Sequence, residues 1–328
     1  MRYLPNGKQM SEADAHTIHK IGIPSLVLME RAALQIVETM QKKNISTEKS
    51  LIVCGSGNNG GDGFAVARLL TEQGKHADVL FAGREASFSE ECRCQKQIVE
   101  NMGISVFTEF PDEEYTVIID AVFGVGLCRE ITGHYKDVID WMNLQDTEKV
   151  AVDIPSGICA ATGEILGTAF RADLTVCMAC VKLGCELFPG KSYAGESIPV
   201  AIGIDPNYFS NRLDVCYTFD KNELGKLLPA RMMNSHKGSY GKVLMITGSP
   251  GMAGAAFLSA CAAYTVGAGL VQIYTASETV WHCRNFFRKP LYPAMILMMT
   301  ISCLVFLTGL MWFVLAVDLE WDRFPKRY

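Results

Sequence analysis

The stretch SLIVCGSGNNGGDGFAVARLL, from Ser50 to Leu70, decides the fold. Its apolar segment Leu51 to Cys54 predicts a buried strand, and the segment Phe64 to Gln73 predicts an amphipathic helix that ends at Gly74. A loop rich in glycine and asparagine lies between them. A strand that enters a helix through glycines presents backbone N–H groups to an anion, because glycine permits positive φ and close approach. The stretch therefore predicts a phosphate-binding loop in an α/β fold.

Two chemistries are compatible with this loop. Three of its glycines, Gly55, Gly57 and Gly60, match the dinucleotide pattern G-x-G-x-x-G directly after a strand. A dehydrogenase would also need an acidic residue at the end of the second strand to hold a ribose, and neither Asp78 nor Glu85 fits that position well. The doubled asparagine and the aspartate of the loop instead offer amide and carboxylate groups to a sugar hydroxyl or a hard cation.

Composition limits the class of protein. The chain has 328 residues, enough for two domains, and a net charge of −5, which gives no basic surface for nucleic acid. The twelve cysteines are irregularly spaced and the N-terminus lacks a signal-peptide core, so we expect reduced thiols and a cytoplasmic protein. The one C-x-x-C, Cys177 to Cys180, falls in a predicted strand that would separate the two sulfurs, and a zinc site is not expected.

Strands alternate with helices along the first two thirds of the chain. The strands are almost wholly apolar, which is typical of a parallel sheet covered on both faces. We therefore predict a Rossmann-like, three-layer αβα fold with a doubly wound parallel sheet. The predicted strands are 51–54, 77–82, 104–107, 116–123, 150–154, 174–181 and 198–204, and the predicted helices are 9–20, 24–43, 64–73, 87–102 and 135–142.

Four polar residues follow the carboxyl ends of predicted parallel strands. Asp62 follows the first strand, Asp120 ends VIID, and Asp153 and Ser156 lie in AVDIPSG. Ligands bind doubly wound sheets beyond the carboxyl ends of the strands, so these side chains are expected to share one site. A single such aspartate is often only a helix cap, but several followed by glycine-bearing loops favour a site.

The same segments identify a family. GSGNNGGDG, IIDAVFGVGL, AVDIPSG and ADLTVCMACVKLG, together with LVLMERAA in the second helix, resemble the NAD(P)H-hydrate epimerase domain in that order, over about residues 8 to 205. Members of that family interconvert the R and S forms of hydrated NADH and NADPH, in which water has added to C6 of the nicotinamide ring.

The resemblance implies roles for particular residues. Asp153 would face the hydrated nicotinamide, and the residues Asn59, Asp120 and Ser156 would hold one structural K+. Because inversion at C6 requires a proton shuttle, Asp153 is the candidate acid–base residue and Lys182 a candidate assistant. The residues expected to contact the nucleotide are Asn58, Asn59, Gly60, Gly61 and Asp62 in the first loop and Gly124, Val125, Gly126, Leu127, Cys128, Arg129 and Glu130 in the second.

A second region begins near residue 218. Its strand at 242–247, Gly-Ser-Pro-Gly turn, helix at 253–266 and strand at 270–275 resemble the opening of the ADP-dependent NAD(P)H-hydrate dehydratase domain, a ribokinase-like fold. In that family Ala255 would approach the hydrated nicotinamide. The later motifs of the dehydratase family are absent from residues 278–328, so we expect an incomplete domain at 218–277, no ADP site and no dehydratase activity. The epimerase domain would then be residues 1–217.

The tail at 278–328 does not continue either domain. Pro293 to Val317 carries no charge and is long enough to span a membrane. One interpretation is that a frameshift in the gene produced this tail. One choice of codons for AVDLEWDRF, read two bases later, encodes a glycine motif similar to one that the dehydratase family carries after this point. The other is a genuine membrane anchor.

The leading functional hypothesis is a metabolite-repair epimerase with a small-molecule substrate and no nucleic-acid partner. The alternatives are a non-catalytic nucleotide-binding scaffold with the same fold and a redox dehydrogenase. The amphipathic N-terminal helices also indicate a homodimer.

Overall fold

The computed structural model describes residues 1–205, 207–227, 230–286 and 297–301. The chain forms two compact units, Met1–Lys221 and the residues from Asn222 onward. The first unit contains the sheet predicted from the sequence, and each unit is described separately below. The domain boundaries predicted at 217 and 277 stay predictions.

The first unit alternates strands with helices. Its strands are β1 (Arg2–Leu4), β2 (Lys49–Cys54), β3 (His76–Phe81), β4 (Val106–Phe107), β5 (Val117–Ala121), β6 (Glu148–Val152), β7 (Leu174–Met178), β8 (Glu196–Val200) and β9 (Cys216–Thr218). Its helices are α1 (Gly7–His16), α2 (Ser25–Lys42), α3 (Asn58–Glu72), α4 (Glu90–Asn101), α5 (His134–Leu144), α6 (Leu183–Glu186), α7 (Lys191–Ala194) and α8 (Lys221–Leu227), the last of which crosses into the second unit.

Seven strands form one parallel sheet in the order β4-β3-β2-β5-β6-β7-β8. The chain runs outward from β2 through β3 to β4 and then crosses back to place β5 beside β2. This reversal creates a switch point, where a crevice opens at the carboxyl ends of β2 and β5. The predicted doubly wound, three-layer fold is confirmed. The short strands β1 and β9 pair separately in an antiparallel ribbon.

Alternate residues of the central strands enter two different cores. In β2, Ile52 and Cys54 pack with α2, α3 and α4, whereas Leu51 and Val53 pack on the opposite face with α5. Because successive side chains of a strand point to opposite faces, an uninterrupted apolar strand fills both cores. This explains why these strands show no polar alternation in the sequence.

The glycine loop differs from its prediction. Helix α3 begins at Asn58, not at Phe64, so most of the predicted loop is the first two turns of the helix. None of the five glycines from Gly55 to Gly63 has a positive φ. Four of them, Gly55, Gly60, Gly61 and Gly63, are needed for close approach instead. A Cβ at Gly63 would lie 2.5 Å from the Ala121 Cβ, and one at Gly61 would lie 2.5 Å from the Met29 Cε.

The N-terminal helices lie over this helix. A capping box at Asn6 and Gln9 starts α1, and the five residues Thr17–Ile21 continue it as a π-helical turn. The Ser11 hydroxyl donates to the Gly7 carbonyl inside the helix. Helix α2 packs directly against α3. The helices predicted at 9–20 and 24–43 are therefore present.

The second unit contains a smaller parallel sheet. Strands β10 (Lys242–Ile246), β11 (Leu270–Ala276) and β12 (Leu297–Ile301) pair in that order, with helices α9 (Ala253–Thr265) and α10 (Ser277–Phe286). The predicted strand–helix–strand pattern is confirmed, while the ribokinase-like assignment stays a prediction.

The predicted apolar run 293–317 lies outside the described residues except for the five in β12. Among the helices of the described ranges, none is long and apolar enough to cross a bilayer.

Candidate functional site

A cavity of about 640 Å³ opens at the carboxyl edge of the seven-stranded sheet. It lies at the switch point, as expected for this architecture. Loops after β2, β5, β6 and β7 form its floor, and helices α1 and α2 contribute one wall. Of the residues predicted from the sequence, those that line it are Asn58, Asn59, Asp62, Gly124, Val125, Gly126, Leu127, Cys128, Arg129, Asp153 and Lys182.

An ion pair between Asp153 and Lys182 lies in the cavity wall. The Lys182 ammonium donates to the Asp153 Oδ1 and, at 2.9 Å, to the Met178 carbonyl. The Met178 N–H donates to the same Asp153 oxygen at 2.9 Å. Burial alone would lower the pKa of Lys182, but the adjacent carboxylate outweighs it and raises the pKa. The lysine is therefore a permanent cation inside the protein.

The backbone at Asp153 is held in an uncommon conformation. Its φ is +68°, in the left-handed region that non-glycine residues rarely adopt. The Asp153 N–H donates to the Val176 carbonyl at 2.8 Å, which anchors the residue just beyond β6. Within the described part of the chain, the Asp153 Oδ2 makes no hydrogen bond. The turn therefore fixes one carboxylate oxygen on the lysine and leaves the other for a ligand. Such strain is often found at functional sites.

Asp120 and Ser156 form a second buried group beneath the cavity. The Ser156 N–H and hydroxyl each donate to the Asp120 carboxylate at 2.7 Å, and the Phe123 N–H donates to the Ser156 hydroxyl oxygen at 2.8 Å. Neither side chain is exposed to solvent. Burial raises the pKa of Asp120 to about 6, although the hydrogen bonds from Ser156 oppose the shift. Among the described residues no cation pairs with this carboxylate.

Asn59 adjoins the same loop. A Cβ on Gly124 would lie 3.4 Å from the Asn59 Oδ1, and the Asn59 Nδ2 is buried without a hydrogen-bond partner. Asp120, Ser156 and Asn59 thus each contact the segment 122–124, and their joint role as ligands stays a prediction. Oxygen donors beside an uncompensated buried carboxylate fit a hard cation. No cluster of three His, Cys, Asp or Glu side chains suited to a metal occurs within the described ranges.

Two further carboxyl groups face the cavity. Asp14 projects from α1 and Asp62 from α3. Burial, followed by the charge of Asp153, raises the pKa of Asp14 to about 6, while Lys182 opposes the shift. Burial also raises the pKa of Asp62 well above its ordinary value. Of the residues described, Lys182 is thus the one lysine that lines the cavity beside these acidic groups, and burial favours the protonated forms of Asp14 and Asp62.

Several predicted residues lie elsewhere. Gly60 and Gly61 are buried inside α3 and do not line the cavity, and Glu130 is exposed beyond it. Ala255 belongs to α9 of the second unit. Asp78 is buried and accepts hydrogen bonds from the Tyr115 hydroxyl and the His76 ring. Because Asp78 precedes the carboxyl end of β3, it is poorly placed to hold a ribose, which disfavours the dehydrogenase hypothesis.

Sequence reasoning missed the contribution of the N-terminal helices to the cavity. Ser11 and Asp14 on α1, and Ser25, Leu28 and Met29 on α2, all line it. One signal was available for Asp14. It follows the buried Met10 by four residues, which places a carboxylate on the core-facing side of the helix.

Comparison with known proteins identifies the family of the chain. Residues 25–184 match the family described as YjeF-related protein N-terminus. An NAD(P)H-hydrate epimerase of Oenococcus oeni is 42% identical over 201 residues, which cover 61% of this chain and 96% of that protein. One of Limosilactobacillus reuteri is 44% identical over 197 residues, covering 60% and 93%.

The chain belongs to the NAD(P)H-hydrate epimerase family. A member of a longer type, the bifunctional NAD(P)H-hydrate repair enzyme Nnr of Moorella thermoacetica, is 35% identical over 287 residues, covering 82% of this chain and 53% of that protein. This alignment reaches the second unit, because 82% of the chain exceeds the 221 residues of the first. The chain spans about half the length of that relative.

The fold has a solved counterpart. A crystal structure of the yeast protein ynu0 has a TM-score of 0.53 and 17% identity, covering 66% of this chain and 99% of that one. At this identity the likeness supports the fold alone.

Proposed function

We propose that the chain is an NAD(P)H-hydrate epimerase that interconverts the R and S forms of hydrated NADH and NADPH. The observation that carries this proposal is the buried Asp153–Lys182 pair, which leaves one carboxylate oxygen facing a cavity at the switch point of the sheet. Family membership supports the same activity. The alternative of a non-catalytic scaffold gives no reason for a strained aspartate paired with a buried lysine.

The nucleotide would bind between the glycine-rich helix start and the loop after β5. The first turn of α3, at Asn58 and Asn59, presents N–H groups that lack partners within the helix, and a phosphate is stabilised there by the helix dipole. Arg129 is exposed on the facing loop, where it can pair with a phosphate. The hydrated nicotinamide would then lie deeper in the cavity, beside Asp153.

Inversion at C6 requires the hydroxyl to leave one face of the ring and water to return on the other. Asp153 holds or releases a proton at its free oxygen during this exchange. Lys182 fixes the orientation of the carboxylate and stabilises its ionised form. No oxidation or reduction takes place.

One K+ would be held by Asn59, Asp120 and Ser156. The ion would compensate the buried Asp120 charge and cross-link the loops that follow β5 and β6. Its contribution is structural, because Asp120 and Ser156 are buried and do not line the cavity. The ADP site of the dehydratase family is not part of this proposal.

The activity is tested with partly hydrated NADH and a separate S-specific dehydratase. The dehydratase alone consumes the S form and leaves the R form. Addition of this protein is expected to convert the remaining R form, seen as recovery of NADH absorbance at 340 nm. If the R form persists at every protein concentration, the proposed function is wrong and the scaffold alternative is favoured.

Potassium is expected to stabilise the protein. Thermal unfolding in KCl should occur about 2–4 °C above that in choline chloride of equal ionic strength, which corresponds to about 1 kcal/mol for a domain of this size. LiCl should have little effect because a smaller ion fits the same ligands poorly. The variant Asp120→Asn should lose the difference between the salts. Equal melting temperatures in KCl and choline chloride for the unmodified protein would exclude the cation site.

Two further proposals concern the state of the protein. Apolar side chains are exposed near and along α2, at Ile21, Leu26, Val27 and Leu34, which supports a homodimer formed through this helix.

Every cysteine of the described residues is a free thiol, which suits a reducing compartment such as the cytoplasm.

A further inference from the structure

We infer that Asp14 is a second acid–base group of the site, acting on the hydrated nicotinamide together with Asp153. This inference rests on the proposed epimerase function and extends it to a residue of the N-terminal helix. It assigns a chemical role to a helix that lies outside the glycine-rich and strand-end loops.

The first argument is the position of Asp14. Its carboxyl lines the cavity from α1, whereas Asp153 lines the same cavity from the turn just after β6. Within the described part of the chain, the Asp14 side chain makes no hydrogen bond and no ion pair. A half-buried carboxyl that is not used for folding, and that faces a ligand-sized cavity, is available to a substrate.

The second argument is electrostatic. The pKa of Asp14 is raised to about 6 by burial and by Asp153, so this group exchanges a proton near neutral pH. Lys182 pairs with Asp153 and leaves Asp14 without a cation of its own. On α1 itself, Glu12 is engaged by Arg212. The other charged or titratable groups that line the cavity are Asp62, Cys128, Arg129, Tyr135, Asp153 and Lys182.

The third argument is the reaction. Inversion of C6 needs a proton donor where the hydroxyl leaves and a proton acceptor where water adds. Protonated Asp14 gives its proton to the C6 hydroxyl, the C6–O bond breaks, and the N1 lone pair forms a double bond to C6 as water departs. A water molecule then adds to C6 from the other face and passes a proton to the Asp153 carboxylate. One water leaves, one is taken up, and one proton has moved from Asp14 to Asp153. The reverse reaction uses this state directly, and exchange with solvent returns the proton to Asp14 before another turnover in the same direction.

The active enzyme therefore carries one proton on the pair of carboxyls. The rate of interconversion, as kcat/KM, should fall above about pH 6, where Asp14 loses its proton. A group that only shaped the cavity would not produce the upper limb of this profile.

The test compares Asp14→Asn, Asp14→Glu and Glu12→Gln in the coupled NADH-hydrate assay. For Asp14→Asn we expect kcat to fall by about 10²–10³-fold with KM little changed, and the limb near pH 6 to disappear. Asp14→Glu should regain part of kcat together with a shifted limb. Glu12→Gln, on the same helix, should keep both kcat and the limb.

Thermal unfolding separates catalysis from folding. The pKa of Asp14 is raised in the folded state, so the folded protein binds this proton more tightly than the unfolded chain does. The free energy of unfolding therefore falls as pH rises through about 4 to 6. Asp14→Asn removes this loss, so its melting temperature at pH 8 should equal or exceed that of the unmodified protein by about 2–4 °C.

The outcomes are distinguishable. If the unmodified protein does not interconvert the two forms, the proposed function fails. If the unmodified protein is active and Asp14→Asn keeps both its kcat and the fall of kcat/KM near pH 6, the proposed function stands and only the role of Asp14 is overturned. A loss of kcat in Asp14→Asn that leaves the limb near pH 6 in place would also overturn it, because the titrating group would then be another residue.

Discussion

Replacing Lys182 with methionine is expected to lower kcat for interconversion by about 10³-fold and to destabilise the fold by about 3–5 kcal/mol. The ammonium is fully buried, and its partners are Asp153 and the Met178 carbonyl. Removal of the lysine leaves an uncompensated carboxylate in the protein interior. The measurement is kcat from the coupled assay, with the free energy of unfolding from urea denaturation.

The double variant Asp153→Asn/Lys182→Met separates the two effects. Replacing both partners of a buried pair with neutral residues removes the unpaired charge, so most of the lost stability should return while activity stays absent. Lys191→Met is the matched control. Lys191 pairs with Glu186 at the surface, where such a bond is worth about 0–1 kcal/mol, and neither measurement should change much. Full activity of the stable double variant would exclude the pair from the chemistry.

Replacing Gly60 with alanine is the second substitution with a large expected effect. An added Cβ would overlap the Gly55 carbonyl oxygen and lie 2.7 Å from its carbonyl carbon, so backbone would have to move. We expect the loss of about 3 kcal/mol that is typical of severe overpacking, and a fall in melting temperature of about 6–12 °C. Epimerase activity should fall with it, because Gly60 lies in the first turn of α3, next to Asn58 and Asn59, which line the cavity.

Gly57→Ala provides the comparison within the same loop. No atom lies within 4 Å of a Cβ built at Gly57, and its φ of −89° suits any residue. Its melting temperature should change by less than about 2 °C. If Gly57→Ala destabilised the protein as much as Gly60→Ala does, close packing would not explain the glycines of this loop.

Much of the fold was predictable because its cause is local. The short apolar run Leu51 to Cys54 is typical of a strand buried on both faces, and Ile52 and Val53 indeed enter opposite cores. The strand-end positions also predicted that Asp120 and Ser156 lie near each other, since parallel strands end at one edge of a sheet, and the two side chains are hydrogen-bonded. The start of α3 was not predictable in this way. Glycine disfavours helices in isolation. Gly61 and Gly63 occur in the helix because they pack closely against Met29 and Ala121, which are distant in sequence.

The sequence by itself determined the doubly wound sheet, the carboxyl edge as the location of the site and the family to which the chain belongs. The tertiary structure alone decided which polar groups are paired and which are free. Lys182 pairs with Asp153, which is 29 residues away in the sequence. Asp14 lines the cavity from helix α1, and the rule that places sites at the ends of parallel strands does not predict this. The physical reason is that burial and charge pairing depend on neighbours distant in sequence, and these neighbours determine which carboxyl keeps a proton.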